Sequence, residues 1–185
     1  MHLNDNIFNS FPIIKTRRLL LREINDEDAT AIWEMRNNKR IAEFIARPEN
    51  QTIEEAKALI ERVKNNFANK DGIGWSTVLR DGKNTIGTCG LNRIEHQNLR
   101  AELGGEMSTQ YWGKGIALEA VTAIVDFGIN QLGLHSIEAR VWPTNRGAIY
   151  ILEQLGFQKE AHLKDALYFK DRFMDIAFYS FVAGK

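Results

Sequence analysis

Apolar residues follow a helical spacing in four long segments of the chain and alternate with polar residues in several shorter ones. The helical spacing predicts helices over residues 26–37, 53–69, 114–131 and 146–155. The alternating segments predict strands over residues 16–24, 74–79, 84–91, 101–107 and 136–142, and two more between residues 157 and 182. In the third helix the polar residues form one narrow stripe, so we expect most of its surface to be buried.

Capping and turn signals separate these elements. Asn25 precedes a run of acidic residues, and Thr52-Ile53-Glu54-Glu55 is a capping box. Asp81-Gly82 is a strong hairpin signal, and His96-Gln97-Asn98 predicts a second turn. The middle of the chain is therefore an antiparallel meander, followed by a strand–helix–strand crossover. The predicted order is β-α-α-β-β-β-α-β-α-β-β, an α+β fold with a mixed, mostly antiparallel sheet flanked by helices.

Length and charge limit the classes of function. With 185 residues we expect a single domain over residues 1–185, with a loosely ordered N-terminal arm over residues 1–12. The 24 basic and 24 acidic residues balance, so we expect neither direct nucleic-acid binding nor membrane association. The single Cys89 cannot form an intramolecular disulfide, which suits the cytoplasm. We expect a monomer or a homodimer.

Residues 101–118 carry the strongest chemical signal, because a strand there leads through a glycine-bearing turn into a helix. The N–H groups of the first helical turn have no partner within the helix, so such a turn can bind a phosphate group. A dinucleotide-binding fingerprint would need a third glycine at Leu118 and a βαβ unit, and the spacing of Gly113 and Gly115 does not fit a P-loop. A tight turn without a ligand is the remaining alternative.

The pattern Gln110-x-x-Gly113-x-Gly115-x-Ala117 resembles the cofactor motif of the GNAT superfamily of N-acetyltransferases. Other segments resemble the RimJ/RimL-type subgroup, the ribosomal-protein N-terminal acetyltransferases and their relatives. These segments are Thr16-x-Arg18-Leu19-x-Leu21-Arg22, Glu102-Leu103-Gly104, Tyr111-Trp112-Gly113-Lys114-Gly115, Leu132-Gly133-Leu134-His135, Asn145-Arg146-Gly147-Ala148 and Leu155-Gly156-Phe157. The resemblance extends over residues 16–181, and its segments follow in a consistent order.

The resemblance implies a GNAT fold and acetyl-CoA as co-substrate, with the pyrophosphate held by the amides of the turn. It also implies that the strand before the turn is splayed by a bulge, for which Gly104-Gly105 is suited. The residues that the resemblance assigns to the cofactor are Met107, Ser108, Gln110, Trp112, Gly113, Lys114, Gly115, Ile116, Ala117 and Asn145. We predict no metal, because the four histidines lack the spacing of metal ligands.

The family reaction needs a proton acceptor, because the attacking amine must be neutral. Glu102 and Glu106 share one face of the predicted strand. They lie about 13 Å apart on an extended strand, too far to share one proton. Glu106 is nearer the cofactor turn and is the candidate base, acting through a water molecule. A solvated or salt-bridged structural carboxylate is the alternative.

The chain departs from the family pattern where many members carry an acid for the departing thiolate. Ala148 and Leu152 occupy the positions of the family's Ser and Tyr, and neither can donate a proton. Tyr150 is near in sequence but belongs on the solvent face of its helix. Water can protonate the thiolate, or it can leave unprotonated, since a thiol with a pKa of about 8.5 needs little help.

The predicted activity is transfer of an acetyl group from acetyl-CoA to a primary amine, most simply a protein N-terminal α-amine. The pKa of an α-amine, about 7.7–8.0, makes it easier to deprotonate than a lysine at about 10.4. A small-molecule amine such as a polyamine or an amino sugar is one alternative, and a non-catalytic acyl-CoA-binding module is another. In the family the first helices line the acceptor side, so the resemblance makes Trp33, Arg36 and Trp75 candidates for that side, and packing in the core or at the surface is the alternative for each.

Overall fold

An eight-stranded sheet forms the centre of the computed structural model, which describes residues 2–48 and 50–184. The strands are β1 (Ile14–Lys15), β2 (Leu19–Glu23), β3 (Ile73–Leu79), β4 (Thr85–Glu95), β5 (Arg100–Met107), β6 (Ser136–Val141), β7 (Gln158–Phe169) and β8 (Arg172–Val182). Their order in the sheet is β1-β2-β3-β4-β5-β6-β8-β7. Only β5 and β6 pair in parallel among these strands, as the predicted crossover requires.

Helices cover both faces of this sheet. They are α1 (Ala29–Arg36), α2 (Lys39–Ala42), α3 (Ile53–Ala68), α4 (Ile116–Phe127) and α5 (Arg146–Gln154). Trp75 packs edge-on against Phe127 of α4, at 5.4 Å between ring centroids. The next residue, Ser76, donates a hydrogen bond to Asp28 beside α1. Because consecutive strand residues face opposite ways, α1 and α4 lie on opposite faces of the sheet.

The structure confirms the predicted α+β fold and adds two short elements to the predicted order. Strand β1 precedes the first predicted strand, and α2 forms just after the first predicted helix. The helix predicted over residues 114–131 is also divided. Its regular part is α4, and the last turn, Gly128–Leu132, is π-helical and ends at Gly133 with a φ of 85°.

In the segment over residues 1–12, for which we expect a loosely ordered arm, residues 2–12 pack against the domain, and residue 1 lies outside the described residues. Phe11 lies 5.0 Å from the ring of Phe67, and the indole N–H of Trp75 donates to the carbonyl of Pro12 at 2.7 Å. The apolar side chains spaced through this polar segment supply the contacts. Trp75 is thereby fixed in the core and does not line the acceptor side.

A buried carboxylate fixes α1 on the sheet. The side chain of Asp28 accepts hydrogen bonds from both Nη atoms of Arg22 at 2.9 and 2.7 Å, from Thr85 at 2.5 Å and from Ser76 at 2.7 Å. Burial opposes the ionisation of Asp28, but these hydrogen bonds outweigh it and lower its pKa to about 2. The network joins the start of α1 to three neighbouring strands.

Candidate active site

The parallel strands β5 and β6 separate at the centre of the sheet. Their pairing covers only Arg100–Glu102 of β5, which faces Ser136–Glu138 of β6. Beyond Glu102, β5 pairs with β4 alone, while β6 continues its pairing with β8. The edge of β5 from residue 103 to residue 107 therefore faces a gap. Backbone N–H and C=O groups along such a gap can bind a polar, extended ligand.

The predicted bulge at Gly104-Gly105 is wrong. Both glycines pair in regular register with β4, and the register shifts instead between Asn92 and Glu95 of β4. Gly105 has another role, since a Cβ there would lie 2.5 Å from the carbonyl oxygen of Thr88. The glycine lets β4 and β5 approach each other, and the gap arises from the divergence of β6.

The turn after β5 forms the positive end of α4. Gly113 and Gly115 have φ angles of 72° and 69°, a region that favours glycine. Gly115 is the N-cap of α4 and provides no side-chain oxygen for the first N–H groups. A Cβ on Gly113 would meet no atom within 4 Å, so this side of the turn is open. The open turn and uncapped helix fit a phosphate-bearing group.

Hydrogen bonds from Arg18, which is itself held by Glu119 of α4, fix the position of this turn. We call these contacts the Arg18–Glu119 brace. The Nη1 and Nη2 atoms of Arg18 donate to the carbonyls of Lys114 and Gly115 at 2.9 and 3.0 Å, and its Nε donates to Glu119 at 2.6 Å. Glu119 also accepts from Thr16 at 2.5 Å and from the Arg18 N–H at 2.8 Å. Burial disfavours the charge on Glu119, but these bonds prevail and lower its pKa to about 2. Sequence reasoning found Thr16 and Arg18 as a motif and missed this contact.

Several residues predicted to bind the cofactor direct their side chains into the protein. The indole N–H of Trp112 donates to the carbonyl of Met107 at 2.8 Å, and the guanidinium of Arg40 lies 5.1 Å from the centre of the Trp112 ring. The side chain of Ile116 is buried in the core. Trp112 and Ile116 can therefore offer a ligand their backbone groups only.

The other predicted cofactor residues lie at the surface of the turn or close to it. Ser108 and Gln110 line a cleft beside α1, and the backbone N–H of Ser108 donates to Ile86 at 2.9 Å. Ala117 is half-buried in the first turn of α4, and Lys114 is exposed. The side-chain amide oxygen of Asn145 caps α5 by accepting from the N–H of Ala148 at 3.1 Å.

Glu106 lies in a buried ion pair with Arg47. The Arg47 Nη1 atom is 2.7 Å from Glu106 Oε2, and the two side chains are 6% and 7% exposed. The contact lacks hydrogen-bond alignment, so Glu106 Oε2 has an ion-pair partner but no hydrogen bond among the described residues. Arg47 Nε, a different atom of the guanidinium, also has no hydrogen-bond partner among them. A buried polar atom without a partner is costly, and such atoms mark places where a ligand or water binds.

Arg36 stands beside this pair and is held by the segment that follows α2. Its Nε donates to the Gln51 side chain at 2.9 Å, and the backbone carbonyl of Gln51 accepts from the Trp33 indole N–H at 2.8 Å. Burial lowers the pKa of Arg36, and the charge of Arg47 lowers it further. Sequence reasoning placed Trp33 and Arg36 on this side but missed Arg47 and Gln51, which sit in a stretch without periodicity.

Neither a general acid nor a nucleophile is available at Leu152, Tyr150 or Cys89. Leu152 is 3% exposed within the core, while Tyr150 is 58% exposed on the outer face of α5. Burial raises the pKa of Cys89 to about 12, so its thiol is not ionised near neutral pH. Within residues 2–48 and 50–184, no group of His, Cys, Asp and Glu side chains could hold a metal ion. No helix in those ranges combines the length and apolar character needed to cross a membrane.

Comparison with known proteins agrees with this geometry. A family model described as an acetyltransferase (GNAT) domain matches residues 18–158. The protein named uncharacterized N-acetyltransferase YoaA, from Bacillus subtilis (strain 168), is 35% identical over 172 residues, which are 93% of this chain and 97% of that protein.

Two solved structures have a similar fold. RimJ of Mycobacterium smegmatis, in complex with CoA-disulfide, has a TM-score of 0.85 at 20% identity, over 99% of this chain and 90% of that one. Spermidine N-acetyltransferase from Vibrio cholerae, in complex with CoA and spermine, has a TM-score of 0.81 at 22% identity, over 92% and 98% of the two chains. The predicted fold, enzyme class and likeness to RimJ-type proteins are confirmed, and the chain belongs to the GNAT family of acetyltransferases.

Proposed function

We propose that this enzyme transfers the acetyl group of acetyl-CoA to a primary amine, most simply a protein N-terminal α-amine, with Glu106 as the general base. The observation that supports this role is the buried carboxylate of Glu106 at the end of β5, just before the cofactor turn. Its Oε2 lies 2.7 Å from Arg47 Nη1 but has no aligned hydrogen bond among the described residues. A carboxylate oxygen in that position can accept a proton directly or through one water molecule.

The co-substrate fits the gap and the turn. Acetyl-CoA supplies the acetyl group as a thioester. The amides of Gly113, Lys114 and Gly115, together with the first turn of α4, would hold its pyrophosphate. The free edge of β5 near Met107 and the side-chain amide nitrogen of Asn145 would hold the extended arm between β5 and β6.

The proposed transfer needs few protein groups. The acceptor nitrogen forms a bond to the acetyl carbon while the carbon–sulfur bond breaks, and the sulfur departs with its electron pair as a thiolate. The proton lost by the amine goes to Glu106. Because Ala148 and Leu152 cannot donate a proton, the thiolate leaves unprotonated or takes its proton from water.

An α-amine suits this machinery because its pKa of about 7.7–8.0 leaves a useful neutral fraction near neutral pH. A small-molecule amine is the second candidate acceptor, and one of the solved relatives above is named for acetylating spermidine. We place the enzyme in the cytoplasm, since its one cysteine suits a reducing compartment.

A thiol-release screen tests this function. The purified enzyme is given acetyl-CoA and a panel of peptides with free N-termini, polyamines and amino sugars, and released CoA is followed with a chromogenic disulfide. We expect release above the uncatalysed rate with at least one peptide, and mass spectrometry should find the acetyl group on its α-amine. If none of the acceptors gives release of CoA above the uncatalysed rate, the non-catalytic acyl-CoA-binding module is favoured.

A further inference from the structure

We infer that the acceptor carries a carboxylate group close to its amine and that Arg36 and Arg47 bind this carboxylate beside Glu106. The inference rests on the proposed acetyl transfer, and it specifies the class of acceptor. Within the proposed group of N-terminal α-amines, it selects those whose first residue is acidic.

The first support is the bonding of Arg47. Its Nη1 faces Glu106 and its Nη2 donates to the carbonyl of Met35 at 3.2 Å, whereas its Nε is buried without a partner among the described residues. A guanidinium has five N–H donors in a fixed plane, and a planar carboxylate is the group that matches two of them at once. The unused donor therefore indicates a missing acceptor oxygen.

The second support is an excess of positive charge. The charges with the largest effect on Arg36 are those of Arg47, Glu106, Arg62 and Glu55, and Arg47 has the strongest effect of the four. Arg47 contacts the buried carboxylate of Glu106, and Arg36 interacts with the same carboxylate through its charge, where we propose that the acceptor enters. A polycation would be repelled there, whereas an anionic group would be attracted.

The third support is rigidity. The backbone of Gln51 is bonded to α1 through Trp33 and Asn37, at 2.8 Å and 2.9 Å, and its side chain holds the Nε of Arg36. The Arg36 side chain is thus held in place through its Nε, which reduces the entropy lost on binding. A carboxylate bound there would share the charge of Arg47 with Glu106, whose Oε2 lies 2.7 Å from Arg47 Nη1. Glu106 would then accept the proton of the amine.

Matched acceptors test the inference by turnover. Two peptides that differ only in an N-terminal Asp or Asn are compared by kcat/KM, with spermidine as a cationic acceptor. We expect the Asp peptide to exceed the Asn peptide about tenfold or more, mainly through a lower KM. In Arg36→Gln this preference should fall to near unity. Arg172→Gln, which removes an exposed arginine at the start of β8, should retain it. Equal kcat/KM for the two peptides, or faster turnover of spermidine, would overturn the inference.

A binding measurement separates this inference from the proposed function. The acetylated Asp and Asn peptides are titrated into the enzyme in the presence of CoA. Tighter binding of the acetylated Asp peptide, lost in Arg36→Gln, supports the carboxylate site even if no acceptor is turned over, in which case only the proposed function fails. Equal affinity of the two peptides would overturn the carboxylate site whether or not turnover is seen.

Discussion

The guanidinium of Arg18 lies 2.6 Å from the carboxylate of Glu119 and donates to two carbonyls of the cofactor turn. These contacts hold the carbonyls of Lys114 and Gly115 away from the open side of the turn. Since each peptide unit points its N–H opposite to its C=O, the N–H groups of these units face the open side, where we propose that the pyrophosphate binds.

Loss of this brace should weaken binding of acetyl-CoA. We expect Glu119→Gln to raise the Kd for acetyl-CoA about tenfold in calorimetry, because Arg18 and the turn become mobile. Charge alone predicts the opposite sign, since removal of a carboxylate near a phosphate site should tighten the binding of an anion. Unchanged or tighter binding of acetyl-CoA by Glu119→Gln would therefore contradict the role of the Arg18–Glu119 brace in fixing the turn.

Arg18→Gln should weaken acetyl-CoA binding to a similar or greater extent. The neighbouring Arg17 is exposed, so Arg17→Gln makes the same change of charge without touching the turn and serves as the control. Equal Kd values for the two arginine variants would show that only net charge matters.

The two glycines of the turn should be required for the co-substrate. In Gly113→Val and Gly115→Val the side chain meets a positive φ, which costs about 1–2 kcal/mol of stability. At Gly113 the side chain also enters the open side of the turn, where we propose that the pyrophosphate lies, and at Gly115 it crowds the Arg18 guanidinium, 3.5 Å from the Cβ position. We expect no measurable binding of acetyl-CoA by either variant in calorimetry.

Gly184 offers a matched control for backbone strain. Its φ is 80° and a Cβ there would meet no atom within 4 Å, as at Gly113. Gly184→Val should therefore keep the wild-type affinity for acetyl-CoA. Retained affinity in the two turn variants would overturn the assignment of the pyrophosphate site.

The buried Asp28 should make stability depend on pH in the acid range. Its pKa is about 2 in the folded protein and 3.8 as the ordinary value, so the ionised carboxylate stabilises the fold fully above pH 4. This contribution, about 2 kcal/mol, is lost as the pH falls from 4 towards 2.

Urea unfolding between pH 2 and 6 measures this effect. Asp28→Asn should lower the free energy of unfolding at pH 6 and flatten its fall below pH 4, whereas Asp126→Asn on the exposed side of α4 should keep the wild-type curve. Parallel pH profiles for wild type and Asp28→Asn would contradict the role of this carboxylate.

Local signals in the sequence were sufficient for the elements and the turn. The capping box at Thr52, the hairpin at Asp81-Gly82 and the glycine pair at Gly113 and Gly115 act within a few residues, and the structure has all three. Likewise the alternation along β5 placed Glu102 and Glu106 on one face. Short-range chemistry of this kind is visible in the sequence before any fold is known.

Contacts between distant segments could not be predicted in the same way. Arg47 meets Glu106 only because the segment after α2 folds back over β5, and nothing near Arg47 in sequence signals a partner. The prediction of a bulge at Gly104-Gly105 failed for a related reason. Glycine favours a bulge and a close approach of two strands equally, and only the position of Thr88 on β4 decides between them.

The candidate base has a matched control on its own strand. Glu102 lies on the same face of β5 about 13 Å away. Its Oε2 is 2.9 Å from Nη1 of the exposed Arg93 and, like Glu106 Oε2, has an ion-pair partner but no aligned hydrogen bond among the described residues. Glu102→Gln removes the same charge without reaching the cofactor turn, so it should keep near wild-type turnover.

The kcat of Glu106→Gln, measured beside the Kd for acetyl-CoA, tests the central claim most directly. We predict an unchanged Kd, which shows that the fold and the cofactor turn are intact, together with a kcat lowered about 10²–10⁴-fold. A wild-type kcat with acetyl-CoA still bound would contradict the assignment of Glu106 as the base.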